Sequence, residues 1–246
     1  MLLNVPIPLW RRAVAEALGT GLLVTVVVGS GIAAQRLSPH DVGIQLAENA
    51  VATAAGLAVL IAILGPVSGA HFNPVISLAD WLLGRGTGTG LRPVELAGYL
   101  PAQVAGAVGG AVLANLMYAE PAVAMSAKHR SGGHLLLGEV VATAGLVLLV
   151  VALARTGQSR AAPAAVGAYI GSAYWFTSST SFANPAVTIG RAFTNTFAGI
   201  APASVPAFVG AQLIGGLVGL ALLAVLYPDA AGAADNVVTP RRREKL

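Results

Sequence analysis

The stretch SGAHFNPVISLADWL, Ser68 to Leu82, decides how this chain is read, because STSFANPAVTIGRAF, Ser179 to Phe193, repeats its pattern in the second half. Each places an Asn-Pro pair after a small, polar approach and before an apolar, helix-compatible run. Proline fits the first turn of a helix, where its missing N–H is not needed, and asparagine just ahead of it is a favoured N-cap. The boxes Asn73-Pro74-Val75 and Asn184-Pro185-Ala186 therefore open two short helices, expected over Ile76–Gly84 and Ala186–Phe193. A helix of about ten residues covers about 15 Å, half of the roughly 30 Å hydrocarbon core of a bilayer. Two such half-spans of opposite direction, meeting tip to tip, would cross it together.

The rest of the chain supplies the surroundings such a pair needs. Of 246 residues, 56% are apolar and 10% charged, against about 25% charged in a soluble domain. Six stretches reach the length of a membrane span: 10 to 34, 44 to 65, 93 to 118, 134 to 154, 161 to 181 and 203 to 227. The first also has features of a signal peptide, with Arg11 and Arg12 before the apolar run, but it is long for one and five further spans follow. Residues 228–246, with Arg241, Arg242, Arg243 and Lys245, read as a solvated tail.

Composition also removes whole classes of function. With 14 Lys plus Arg against 10 Asp plus Glu, the high pI reflects scarce charge and not a basic face, so nucleic acid is not an expected partner. The absence of cysteine excludes disulfides, thiolate metal sites and cysteine nucleophiles. Lys128, His129, Arg130 and His134 form a basic loop without the acidic or thiol neighbours a metal would need. No nucleophile set or nucleotide loop is present, so the chain reads as neither an enzyme nor a cofactor protein.

The repeat extends beyond the two boxes. AEALGTGLLV, Ala15 to Val24, and GEVVATAGLVLLV, Gly138 to Val150, each open a span, and Glu16 and Thr20 correspond to Glu139 and Thr143. Units of three spans, about 10–120 and 134–227, enter the membrane in opposite directions, the signature of an inverted repeat within one channel domain covering 1–246. An even number of spans puts both termini on one side. Arg11, Arg12, Arg85, Arg92, Arg155, Arg160, Arg241, Arg242, Arg243 and Lys245 fall there, and only Arg36, Lys128, Arg130 and Arg191 fall opposite. The excess of positive charge predicts cytoplasmic termini and a multi-pass protein of the inner cell membrane.

Helix N-termini carry roughly half a positive charge each, and here two would face the bilayer midplane and repel cations and protons. The approaches Gly65–Phe72 and Ser178–Ala183 would carry carbonyls without helical partners, which survive at membrane depth only along a water-filled or protein-buried path. Carbonyl acceptors opposite apolar helix faces, with asparagine amides as donors at the narrow middle, make a path for small polar molecules.

These motifs resemble those of the major intrinsic protein family, the aquaporins and aquaglyceroporins. SGAHFNPV is similar to the family's first box, SFANPAV matches its second, and the glutamates opening spans one and four are in place. The resemblance implies an all-α, right-handed bundle of six transmembrane helices with two re-entrant half-helices, assembled as a homotetramer with one pore per subunit. Two departures stand out. Val75 replaces the usual alanine, which should tighten packing between the half-helix tips. Val187 stands where the family usually places an arginine, part of its aromatic/arginine filter. By family spacing the filter positions are Thr53, Ser172, Ser181 and Val187, leaving no aromatic and no arginine among them. The constriction should be wider and lack a fixed charge. This pattern is similar to arginine-less bacterial aquaglyceroporins associated with arsenic resistance, which implies arsenite as a solute beside water and glycerol.

The buried ionisable residues admit two readings each. Glu16 and Glu139, by the resemblance, accept hydrogen bonds from the re-entrant loops; alternatively they relay protons in a coupled secondary transporter. His71 is a pore-lining donor or a pH gate. Arg191, about two helical turns beyond Asn184, lines the outer vestibule, or else snorkels or satisfies the half-helix C-terminus. Asp80 mirrors it at the inner mouth, or meets Arg85 or Arg92. Tyr169, Tyr174, Trp175 and Phe176 read as an interfacial belt, with pore lining as the alternative. Glycines such as Gly21, Gly106, Gly110, Gly215 and Gly219 allow close helix crossings. The function expected is a passive channel for small neutral solutes in a lipid bilayer.

Overall fold

The computed structural model describes residues 7–86 and 88–228. Its α-helices are α1 (Leu9–Leu37), α2 (Val42–Ser68), α3 (Pro74–Gly84), α4 (Pro93–Met117), α5 (Gly133–Arg155), α6 (Ala162–Phe176), α7 (Pro185–Gly190) and α8 (Val205–Leu226). Short 3-10 turns occupy Ser159–Ala161, Arg191–Phe193 and Pro202–Ser204. The expected tail lies, beyond Pro228, outside the described residues.

Among the described residues, α1, α2, α4, α5 and the segment Pro202–Leu226 are long and apolar enough to cross a membrane. The sixth crossing, α6, has 15 residues and is preceded by the turn at Ser159–Ala161. It ends earlier than the expected 181 because Thr177 turns to an extended backbone, freeing the chain to approach the second box. By contrast α2 continues to Ser68 through Pro66, so Gly65 to Ser68 are helical and not extended as expected. The helix stops at Gly69, whose φ of 93° is a left-handed C-terminal cap that favours glycine.

Three helix pairs bring backbones together at glycines. A Cβ on Gly106 of α4 would lie 2.1 Å from Ala17 O of α1, and one on Gly110 lies 2.0 Å from Gly21 O. In the second half, Gly215 and Gly219 of α8 meet Val140 O and Ala144 O of α5 at 2.6 and 2.7 Å. The glycine pairs spaced by four hold the two halves in matching form. Gly167 of α6 stands against Ala54 O of α2 at 2.6 Å and joins the halves to each other. Outward rows on these helices, such as Leu213, Leu217 and Val225 of α8 and Val51, Val59 and Ile63 of α2, are apolar and exposed, as suits a lipid-facing surface.

Candidate functional site

The short helices α3 and α7 begin at one place. Asn73 Oδ1 accepts from Val75 N at 2.9 Å, and Asn184 Oδ1 accepts from Ala186 N at 3.0 Å and Val187 N at 3.3 Å. Each is the side-chain N-cap its sequence suggested, with proline in the first turn. The amides also cross between the halves: Asn73 Nδ2 donates to Ala183 O at 2.8 Å, and Asn184 Nδ2 donates to Phe72 O at 2.7 Å. An amide nitrogen carries two hydrogens, so each asparagine spends one on locking the tips together and keeps one.

Buried carboxylates set the direction of the loops feeding these tips. Glu16 Oε1 accepts from His71 N at 3.0 Å and Ser68 Oγ at 2.6 Å, while its Oε2 accepts from Phe72 N at 2.7 Å and Gln103 Nε2 at 2.8 Å. Glu139 accepts from Phe182 N and Ala183 N, both at 2.8 Å, and from Gln212 Nε2 at 2.6 Å. In a planar trans peptide the C=O opposes the N–H of the next residue. Drawing the amides of His71 and Phe72 toward Glu16 therefore turns the carbonyls of Ala70 and His71 the other way, and Glu139 does the same to Ser181 and Phe182. Ala70, Phe72, Ser181 and Ala183 take left-handed φ values of 52°, 48°, 47° and 49°, each costing on the order of 1–2 kcal/mol. The carboxylate nests hold that strain.

The carbonyl-bearing residues line a solvent-open cavity of about 600 Å³, its mouths included, walled elsewhere by apolar side chains such as Leu23, Leu57, Ile61, Leu146 and Val150. Asn73, Asn184, His71, Thr53, Ser181, Val187 and Arg191 all lie on its wall. Ser181 Oγ is buried there without a hydrogen-bond partner among the described residues. His71 Nδ1 pairs with Ser77 Oγ at 3.1 Å, and its ring stands edge-on to Tyr99. Such a cavity offers a small polar molecule a polar row facing an apolar wall, so the hydrogen bonds it loses to water are replaced on one side only.

Ser172 is a correction. The cavity face of α6 carries Val166, Ile170 and Tyr174, spaced by four. Two residues from Ile170 the helix has turned about 200°, so Ser172 is exposed on the far side, its Oγ donating to Tyr169 O at 2.8 Å. Tyr174 occupies the wall instead, its hydroxyl 3.2 Å from Thr53 Oγ1. Of the aromatic cluster read as a belt, Trp175 and Phe176 face outward, whereas Tyr174 is buried in the cavity wall.

Val75, expected to tighten packing between the half-helix tips, also packs toward α8: its Cγ1 lies 2.6 Å from where a Cβ on Gly216 would stand. Two of the alternatives weighed above do not hold. Asp80 meets neither Arg85 nor Arg92; its Oδ2 accepts from Leu91 N at 2.9 Å and ties down the chain after α3. Arg191 does not snorkel. It is 2% exposed, its Nε donates to Ala198 O, and its guanidinium lies 3.4 Å from the centroid of the Phe182 ring. Around the same mouth, Arg130 lies 5.0 Å from that ring and Lys128 donates to Phe197 O at 3.0 Å. Burial, with Arg130 and Arg191 nearby, lowers the Lys128 ammonium to about 8.

Sequence reading missed Gln103, Gln212, Ser77 and Thr188. Each glutamine is a buried amide inside an apolar span, α4 or α8, and each bridges a glutamate to a half-helix hydroxyl. Gln103 Nε2 reaches Ser77 Oγ at 3.0 Å and Gln212 Nε2 reaches Thr188 Oγ1 at 2.8 Å. That recurrence in the third span of each half was the available signal.

The Val75 contact gives a direct test. Gly216→Ala is expected to destabilise by about 1–3 kcal/mol through overpacking, and adding Val75→Ala to recover most of it by removing the colliding methyl. Additive losses in the double variant, read as melting temperatures in detergent, would show that the two residues do not touch.

The sequence profile of the family described as Major intrinsic protein matches residues 4–181. Aquaglyceroporin AqpS of Rhizobium meliloti is 52% identical over 222 residues, covering 90% of this chain and 92% of that one. A glycerol uptake facilitator protein of Pseudomonas aeruginosa is 31% identical over 225 residues, covering 79% and 77%. The crystal structure of an aquaglyceroporin from Plasmodium falciparum superposes with a TM-score of 0.67 over 92% of this chain and 100% of that one, at 18% identity, a likeness of fold.

Proposed function

Because this chain belongs to the major intrinsic protein family and forms a passive transmembrane channel for small neutral solutes, we propose that its cargo extends beyond water to glycerol and to neutral trihydroxy acids such as arsenite. One observation carries this reading: the two asparagine amides, locked reciprocally at the half-helix tips, each retain a donor on the wall of a half-polar cavity. Two converging N-termini repel cations there. In this reading Asn73, Pro74, Val75, Asn184, Pro185 and Ala186 form the central constriction, Thr53, Ser181 and Val187 an outer one, and His71 and Arg191 its vestibules. Glu16 and Glu139 are structural acceptors.

The channel is one domain over 1–246, with repeats about 10–120 and 134–227, and has no enzymatic activity. It works as a homotetramer in the lipid of the inner membrane with both termini cytoplasmic, as the lysine and arginine distribution supports.

The solute range is tested by Val187→Arg. Valine at this wall position is small, and a guanidinium would narrow the path and stand one turn from Arg191. Glycerol and arsenite flux should fall by at least tenfold and water flux by much less, measured in one proteoliposome preparation. Equal loss of all three would show that residue 187 does not set the range.

A further inference from the structure

We infer that Arg191 is the selecting cation of this channel, acting from one helical turn beyond Val187 and seated on Phe182, so that the outer constriction keeps both a charge and aromatic rings. The inference deepens the proposed solute path and rests on it. The family-spaced positions contain neither arginine nor aromatic residue, yet the cavity wall contains Arg191, Phe182 and Tyr174.

Helix geometry accounts for the substitution of place. Residue 191 follows 187 by four, so the two share a face about 6 Å apart along the axis. Helical side chains lean toward the helix N-terminus and cover the preceding turn. Arg191 therefore reaches back over the turn holding Val187, and its guanidinium comes to rest 3.4 Å from the Phe182 centroid. A larger residue at 187 would fill that space. The small valine and the displaced arginine are two halves of one feature.

Two anchors fix the group. Nε donates to Ala198 O, and the ring of Phe182 lies under the guanidinium plane. Guanidinium has five N–H donors and stays charged, so after the bond to Ala198 the others remain on the wall of the cavity that Ser181 also lines. A charge held against an aromatic face lines the passage and does not project across it. Such a mouth repels cations together with the half-helix N-termini, orients solute hydroxyls, and stays wide enough for a polyol.

The experiment compares Arg191→Val, Arg191→Gln, Arg191→Lys and the transposed double variant Val187→Arg/Arg191→Val with the parent protein in proteoliposomes, reading water flux, glycerol flux and sodium leak. Arg191→Val and Arg191→Gln should raise sodium leak relative to water flux by tenfold or more, and Arg191→Lys should keep it near the parent value. Arg191→Gln retains a donor for Ala198 O, so its leak reports lost charge and not a lost fold, even if the valine variant fails to assemble. The transposed variant should exclude sodium again while passing glycerol more slowly, because its arginine stands one turn nearer the asparagines. Unchanged sodium exclusion in Arg191→Gln, or a leak persisting in a folded transposed variant, would overturn the inference. Absence of glycerol flux in the parent would remove the proposed solute path and the inference together.

Discussion

Glu139→Ala is expected to yield no folded, conducting protein, and Glu16→Ala the same. Removing the Glu139 carboxylate strands the amides of Phe182 and Ala183 and one of the two Nε2 hydrogens of Gln212, the other staying on Thr188 Oγ1, in a buried site. A buried donor left unmade costs about 1–3 kcal/mol, so three of them consume much of the roughly 5–15 kcal/mol that stabilises a typical domain. The loss also weakens the hold on the left-handed backbone at Ser181 and Ala183, leaving it to the bonds from Asn73 Nδ2 to Ala183 O and from Ser181 N to Ser179 Oγ. Glu139→Gln should fall between: its amide oxygen serves one backbone N–H, while its NH₂ group faces the other donor to donor. Yield of monodisperse protein and its melting temperature check the order parent, glutamine, alanine. A well-folded alanine variant with unaltered glycerol flux would show that the nest does not hold the loop.

Asn184→Asp should turn a cation-excluding channel into a leaky one. The carboxylate keeps the cap, still accepting from Ala186 N and Val187 N, but it cannot donate to Phe72 O. It also places a full negative charge where two helix N-termini supply roughly half a positive charge each. Such terminus–charge interactions are worth up to about 2 kcal/mol when partly buried, and about 1.4 kcal/mol is a factor of ten. Sodium permeability relative to water should therefore rise by one to two orders of magnitude, with Asn73→Asp behaving alike through Ala183 O. An aspartate variant that folds, passes water and still excludes sodium would locate the cation barrier elsewhere.

What the sequence made legible was local chemistry. Asn73 and Asn184 announce their caps through the proline that follows, and the glycine pairs announce close crossings, because both depend on neighbours within a turn or two. Phase around a helix is less legible: family spacing counted back from Asn184 puts Ser172 on the wall, but the loop from Thr177 to Ala183 breaks any fixed angular relation between α6 and the box. Arg191 was visible only as an ambiguous cation, since its seat on Phe182 and its bond to Ala198 join segments whose meeting depends on the chain's return from Thr194 to Ala201. The glutamines carry no signal of their own because an amide in an apolar span has no motif; its meaning lies in a glutamate on another helix. Val75 is legible as a tip residue, but its contact with α8 is not, since Gly216 is remote in sequence.

The most direct test of the whole account is glycerol uptake into proteoliposomes with and without an imposed proton gradient. A passive path through the paired asparagine tips predicts that internal glycerol rises to the external concentration and stops there, whatever the gradient. Accumulation above the external concentration that collapses with a protonophore would contradict it, and would make Glu16 or Glu139 a proton carrier.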